Sequence, residues 1–125
     1  MAAGTLVSSG SSLNMPTGSG SERLRRATIQ TLNNDNQTIL TGVAGHIYTM
    51  LLIKATDQNN NAQTLTCWMN DGTQNISIFE SVSLPAYGTF VFSDRFVLEE
   101  DDTLTVHNSG ANTDWLISYI DQDWT

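Results

Sequence analysis

Leu65, Cys67 and Met69 alternate with Thr64, Thr66 and Trp68, the period of a strand with one face inward and one outward. The same two-residue period recurs along most of the chain after residue 26. A first strand is expected over 27–32, where Ile29 alternates with polar neighbours, and a second over 38–41. The longest expected strand covers 46–56. Ile47, Thr49, Leu51 and Ile53 share one of its faces, and Tyr48, Met50, Leu52 and Lys54 share the other. Apolar groups on both faces predict a strand that is central or covered by another subunit. Further strands are expected over 63–69 and 75–79, with Ile76 and Ile78 on one face of the latter. Over 89–98, Phe90, Phe92, Phe96 and Leu98 line one face, and Asp94 predicts a bulge or bend at 93–95. Leu104 and Val106 form the inward side of a short strand. In the last strand, over 114–120, Trp115, Ile117 and Tyr119 share a face.

Between these runs stand the residues that turn a chain. Asn33-Asn34-Asp35-Asn36 and Asp57-Gln58-Asn59-Asn60-Asn61 have short polar side chains that bond the local backbone. Gly42 and Gly45 bracket a bend, and Asn70-Asp71-Gly72 supplies a tight turn. Pro85 breaks a ladder within the connection 83–88. Glu99-Glu100-Asp101-Asp102 and Asn108-Ser109-Gly110 close the later hairpins. No helix of ordinary length is expected. Seven or eight short strands with such turns predict an all-β, antiparallel β-sandwich of jelly-roll type.

Residues 1–26 depart from this pattern. Up to about residue 21 they are mostly Gly, Ser, Thr and small apolar residues, a composition that builds no core. An extended or disordered N-terminal arm over 1–26, with a short basic segment, is expected to precede one β-sandwich domain over 27–125. Leu6, Val7, Leu13 and Met15 are the arm's candidate anchors to a partner. Arg23, Arg25 and Arg26 are candidate contacts for an acidic surface. Trp124 is a candidate anchor between subunits, because terminal sequence needs a packing reason to stay ordered.

Charge narrows the partners. Thirteen acidic residues stand against five basic ones, a formal charge of -8. Such a field repels duplex DNA and anionic membranes, so neither specific nucleic acid nor a membrane is an expected partner. The apolar runs are too short for a membrane-spanning helix. Lys54 is the single lysine, so the usual lysine guard on sheet edges is thin, and the edges are either covered by other chains or blunted by acids and bulges.

Candidate chemistry is sparse. Cys67 is the only cysteine, which excludes an intramolecular disulfide, and its alternating neighbours predict a buried thiol. His46 and His107 belong to no compact metal motif, and no serine sits in a nucleophile-elbow pattern. The acidic turn 99–102 lacks the spacing of a calcium loop. No metal, no cofactor and no catalytic residue is expected. Trp68, Tyr87 and Trp115 are candidates for an exposed aromatic surface of the kind that binds a sugar or a protein.

The stretch 42–120 resembles small β-rich structural proteins of tailed-bacteriophage virions. The resemblance is carried by the long strand from Ile47, the Asn-rich turn after it, and Val82-Ser83-Leu84-Pro85-Ala86-Tyr87-Gly88. It continues through Phe96-Val97-Leu98-Glu99-Glu100-Asp101-Asp102-Thr103-Leu104-Thr105-Val106 to the last strand. Here Glu100-Asp101-Asp102 replaces the glycine-containing turn usual before the late strand. The resemblance implies a capsid decoration or cement protein, made in the host cytoplasm and located in the virion. It would bind the major capsid protein or another virion protein through its arm and β-body, as a homo-oligomer, with a trimer suited to a three-fold capsid position. A neck, tail or fibre component and a carbohydrate-binding β-sandwich are the alternatives. The resemblance implies no active site.

Overall fold

The computed structural model describes residues 21–125, and every ordered element in it is a strand. The nine strands are β1 (Ser21–Thr31), β2 (Asp35–Thr41), β3 (His46–Asp57), β4 (Gln63–Asn70), β5 (Asn75–Leu84), β6 (Thr89–Phe92), β7 (Phe96–Leu98), β8 (Thr103–Asn108) and β9 (Thr113–Asp123). One sheet runs β1-β9-β3-β6, with β7 also paired to β3, and the other runs β2-β8-β4-β5. All the pairings are antiparallel. Because β6 and β7 lie end to end on β3, they act as one interrupted strand. The result is an eight-stranded, two-sheet jelly roll, as the sequence pattern predicts.

The interruption falls at Ser93, Asp94 and Arg95, where the charged residues break the aromatic stripe. On the other side of β3 the register against β9 also shifts, between Met50 and Leu52. Leu51 is the extra residue of a bulge. Before it Tyr48 and Met50 point inward; after it Ile53 and Ala55 do. The apolar character of both faces of β3 therefore comes from a change of phase, because a bulge flips the alternation that follows it. A second bulge at Ile39 lets Ile39 and Leu40 both be buried.

The core lies between the sheets. Tyr48, Met50, Ile53, Trp115, Ile117 and Tyr119 face Leu40, Leu65, Cys67, Leu84, Leu104 and Val106. Phe79 on β5 links the two layers. Its ring centroid lies 4.9 Å from that of Phe90, 5.6 Å from Phe92 and 6.4 Å from Trp115. Ile76, expected on the same face as Ile78, is instead exposed: it pairs with Met69 next to the end of the β4–β5 ladder, beyond a pairing whose register shifts twice along β5. Ser81, at the second irregularity, has φ 51°.

Polar groups close one end of the sandwich. Asn108, read from sequence as a turn residue, is fully buried; its Nδ2 donates to the carbonyls of Leu32 at 2.7 Å, Gly110 at 3.1 Å and Ala111 at 2.7 Å. One side chain thus gathers three loop carbonyls around it, of which those of Gly110 and Ala111 also accept from the Asn34 N–H and the Thr113 hydroxyl. Trp115 donates its Nε1–H to Thr31 Oγ1 at 2.9 Å within the core.

β1 covers Ser21–Thr31 of the described residues, so the arginine stretch belongs to a strand, although the expected arm extends over 1–26. The reason is β9: eleven residues of β1 pair with it in an unbroken register from Ser21↔Asp123 to Thr31↔Thr113. Backbone pairing overrides a local composition that shows no inward face over 21–26.

Candidate interaction surface

The surface that sequence reasoning singled out is spread over several parts of the fold. Leu6, Val7, Leu13 and Met15 lie outside the described residues. Arg23, Arg25 and Arg26 are exposed on β1, which is an edge strand. Arg23 and Arg25 project on the side that faces inward further along β1, and Arg26 projects from the outer face. Arg25 Nη1 stands 3.7 Å from Asp121 Oδ2 on the neighbouring strand. That carboxylate is itself buried, and its other oxygen is 2.7 Å from His46 Nδ1. His46 Nε2 faces Asp123 Oδ1 at 3.5 Å.

His46 thus bridges two carboxylates of β9 at the start of β3. Thr125 donates both its backbone N–H and its hydroxyl to Asp123 Oδ1, and these bonds hold the Asp123 carboxyl below the usual carboxylate range. The ring of His46 also meets Tyr48 edge-on, with centroids 6.0 Å apart. Nothing local in the sequence signals this cluster, since 75 residues separate His46 from Asp121 and only the β3–β9 register joins them.

Trp124 is half-buried against its own body. Its backbone N–H donates to Gly45 at 2.7 Å, and its ring lines a small depression with His46, Ile47, Glu99 and Glu100. It therefore anchors the chain's end within the subunit and leaves only part of its ring for a partner.

The three aromatics expected to form an exposed surface do not meet. Trp115 is the clear correction: it is 1% exposed, because the inward face it shares with Ile117 and Tyr119 is the core of β9. Tyr87 is 67% exposed in the β5–β6 turn, with φ 56° and its N–H donated to the Asn59 carbonyl. Trp68 is half-buried near the opposite end of β4. Trp68 and Tyr87 therefore stand at opposite ends of the sandwich and form no shared surface.

The reactive groups are equally separated. Burial pushes the Cys67 thiol up to about 12, so at neutral pH it is a protonated core side chain and not a nucleophile. Among the described residues no group of three or more His, Cys, Asp or Glu side chains is arranged to hold a metal ion. No helix of the described chain is long and apolar enough to cross a membrane. A largely apolar depression of about 440 Å³, lined by Ile29, Trp115 and Leu116 as well as Gln30, Lys54, Thr56 and Asp114, opens on the first sheet. Gln30 Nε2 donates to Asp114 Oδ1 at 2.7 Å, and Gln58 Nε2 bonds the other oxygen, so the carboxylate in that depression is already engaged.

The fold and surface define a class, a two-sheet jelly roll with an arginine-bearing edge strand. Comparison with known proteins adds two likenesses. One is a chain from Bacillus endospore appendages, described as a novel family of disulfide-linked pili. It is 15% identical, with a TM-score of 0.53 over 93% of this chain and 100% of that one. The other is a chain in the structure of infectious bursal disease virus, Gx strain. It is 10% identical, with a TM-score of 0.52 over 94% of this chain. This chain spans 37% of the length of that viral chain. At such identities the likeness is one of fold. No protein-family model matches the sequence, and no curated protein matches it.

Proposed function

We propose that this chain is a non-enzymatic structural subunit of a virion, of the capsid decoration or cement type. The β-body forms the projecting module, and residues 1–20 together with β1 form the attachment side. The observation that carries this reading is the placement of the arginines. Three of the five basic residues of a chain with net charge -8 stand exposed on one edge strand, which leads directly into residues 1–20. An edge strand offers backbone donors and acceptors, and arginines offer forked contacts to carboxylates, so this is where an acidic protein surface would be held. The fold supports the reading further, since it is shared with a chain of a pilus and a chain of a virus. The phage setting comes from the sequence resemblance.

The decisive experiment is cryo-electron microscopy of the native particle. Copies ordered on the capsid lattice are expected. Density confined to the neck, tail or fibres would reject the decoration role and keep the structural one, and absence from the particle would overturn both. Deletion of residues 1–20 leaves β1 intact and is expected to lower occupancy of purified shells at least about tenfold, the loss that follows from removing even about 1.4 kcal/mol of contact. Unchanged occupancy would remove the arm from the mechanism.

A further inference from the structure

We infer that two copies of this chain join β1 to β1, antiparallel, across a two-fold axis at Leu24, so that their first sheets become one continuous sheet. The inference rests on the structural-subunit reading and deepens it: the joint brings two attachment sides together and gives the pair two copies of residues 1–20.

Four strands end the two sheets: β1, β2, β5 and the interrupted β6/β7. β2 carries a bulge, β5 shifts register twice, and β6/β7 is broken. Bulges and breaks blunt an edge, as lysine and proline do. β1 has none of these: it keeps one register against β9 over eleven residues and holds neither lysine nor proline. Among the described residues nothing pairs with its free side. Two such edges can pair with each other, because an antiparallel ladder is its own complement under a two-fold.

The side chains fix the register. Glu22, Leu24 and Arg26 share the outer face, since Ala27, Ile29 and Thr31 turn inward. A two-fold normal to the sheet keeps outer residues opposite outer residues. Of the registers that remain, one alone sets Glu22 opposite an arginine. In it Glu22 faces Arg26 of the second copy, Arg26 faces Glu22 of the second copy, and Leu24 faces Leu24. The contact runs from Ser21 opposite Ala27 to Ala27 opposite Ser21. Leu24 is 74% exposed, the highest value for a large apolar side chain among the described residues. It pairs with Ile120 on the same face, so the joint builds an apolar row Ile120-Leu24-Leu24-Ile120 across both copies. Glu22 is already oriented: one of its carboxylate oxygens accepts from Gln122 Nε2 at 3.1 Å, which leaves the other for a guanidinium. Among the described residues Arg26 forms no ion pair.

On the opposite face Arg23 lies across from Arg25 of the second copy, and like charges directly opposite oppose pairing. Each of these arginines brings its own carboxylate. Arg25 Nη1 stands 3.7 Å from Asp121 Oδ2, and Arg23, after the Thr125 hydrogen bonds, helps to hold the Asp123 carboxyl below its usual range. The joint therefore sets no unbalanced charge against another on that face and gains two Glu–Arg contacts on the outer one. Such a contact is isologous, so it closes at two copies and leaves no β1 edge free.

The test uses the full-length protein in sedimentation velocity over a range of concentration and salt. The wild type is expected to form a dimer as its first associated species. R26E and E22R each set like charges opposite one another at two places, and each is expected to raise the dissociation constant about tenfold or more. The double variant E22R/R26E, and an equimolar mixture of the two single variants, restore opposite charges at both places and are expected to regain the dimer. Near-UV circular dichroism checks that every variant folds. Leu24→Cys reads the register directly. Residues opposite each other in an antiparallel pair have Cα atoms about 4.5–5.5 Å apart, within reach of a disulfide. Mild oxidation is expected to link the Leu24→Cys protein at least about tenfold faster than Arg26→Cys, whose two thiols are offset by about 13 Å along the strands. Cys67 is buried and stays out of the reaction.

A wild type that stays monomeric at low salt and high concentration, a first associated species other than a dimer, a mixture that fails to recover, or equal linking of the two cysteine variants would each overturn the inference. Particle maps separate this failure from that of the proposed function. Copies ordered on the shell with β1 unpaired would refute the joint and leave the structural role intact. A dimer in solution from a protein absent from the particle would refute the role and leave the joint.

Discussion

The side chains that matter most for stability here are those that satisfy a buried polar atom. Trp115 occupies the centre of the core, and its only polar atom reaches Thr31 Oγ1. Thr31→Val keeps the shape of the side chain and removes the acceptor. It is expected to cost about 1–3 kcal/mol, the penalty for stranding a buried donor, read as a lower urea midpoint with an unchanged slope. An unchanged midpoint would mean that Trp115 finds another partner. The sequence shows Trp115 on an alternating face with Ile117 and Tyr119, which is enough to place it inward. Its indole is equally suited to a binding surface by chemistry, but the two-residue period decides its side. His46 is the opposite case, since its partners come from a strand far along the chain and no local pattern could supply them.

Strands were legible wherever period two was unbroken. β4, β8 and β9 bury the residues their alternation assigns to the core. The pattern misleads where a bulge inserts a residue, as at Leu51 and Ile39 and along β5, because an extra residue changes the phase without interrupting the run of strand-forming residues. β1 was cut short for a related reason: over 21–26 it has no buried face, and only its partner makes it a strand. Turns depend on closer fits. Gly42 donates its N–H to the Asp102 carbonyl at 2.7 Å, and a Cβ there would overlap the carbonyl oxygen of Glu99. Gly42→Ala must push the β2–β3 bend away from the β7–β8 turn. A loss of about 1–3 kcal/mol is expected in chemical denaturation, in the range of forced overpacking, and a neutral result would show that the two turns move apart freely.

At the scale of the molecule, acidity should decide where the fold fails. Hydrogen bonds depress the carboxyls of Asp35, Asp71 and Asp123: Gln37 and the Leu32 N–H for the first, the Gln74 and Thr73 N–H groups for the second, Thr125 for the third. A depressed carboxyl binds its proton more readily in the unfolded chain. Its contribution is therefore present above the unfolded value, about 3.9 for aspartate, and is lost as pH falls through the lower folded value. Melting temperature is expected to fall as pH is taken from about 4 downward. A melting point that holds steady to pH 2 would show that these bonds do not stabilise the fold.

The place of β9 between β1 and β3 has a consequence for how the protein is made. Among the nine strands the ribosome releases β1 first and β9 last, so the first sheet has no centre until the other eight have emerged. A nascent or prematurely terminated polypeptide holds β1 and β3 with nothing between them. Synthesis thus closes the first sheet in a single late step, when β9 slots between two strands already made.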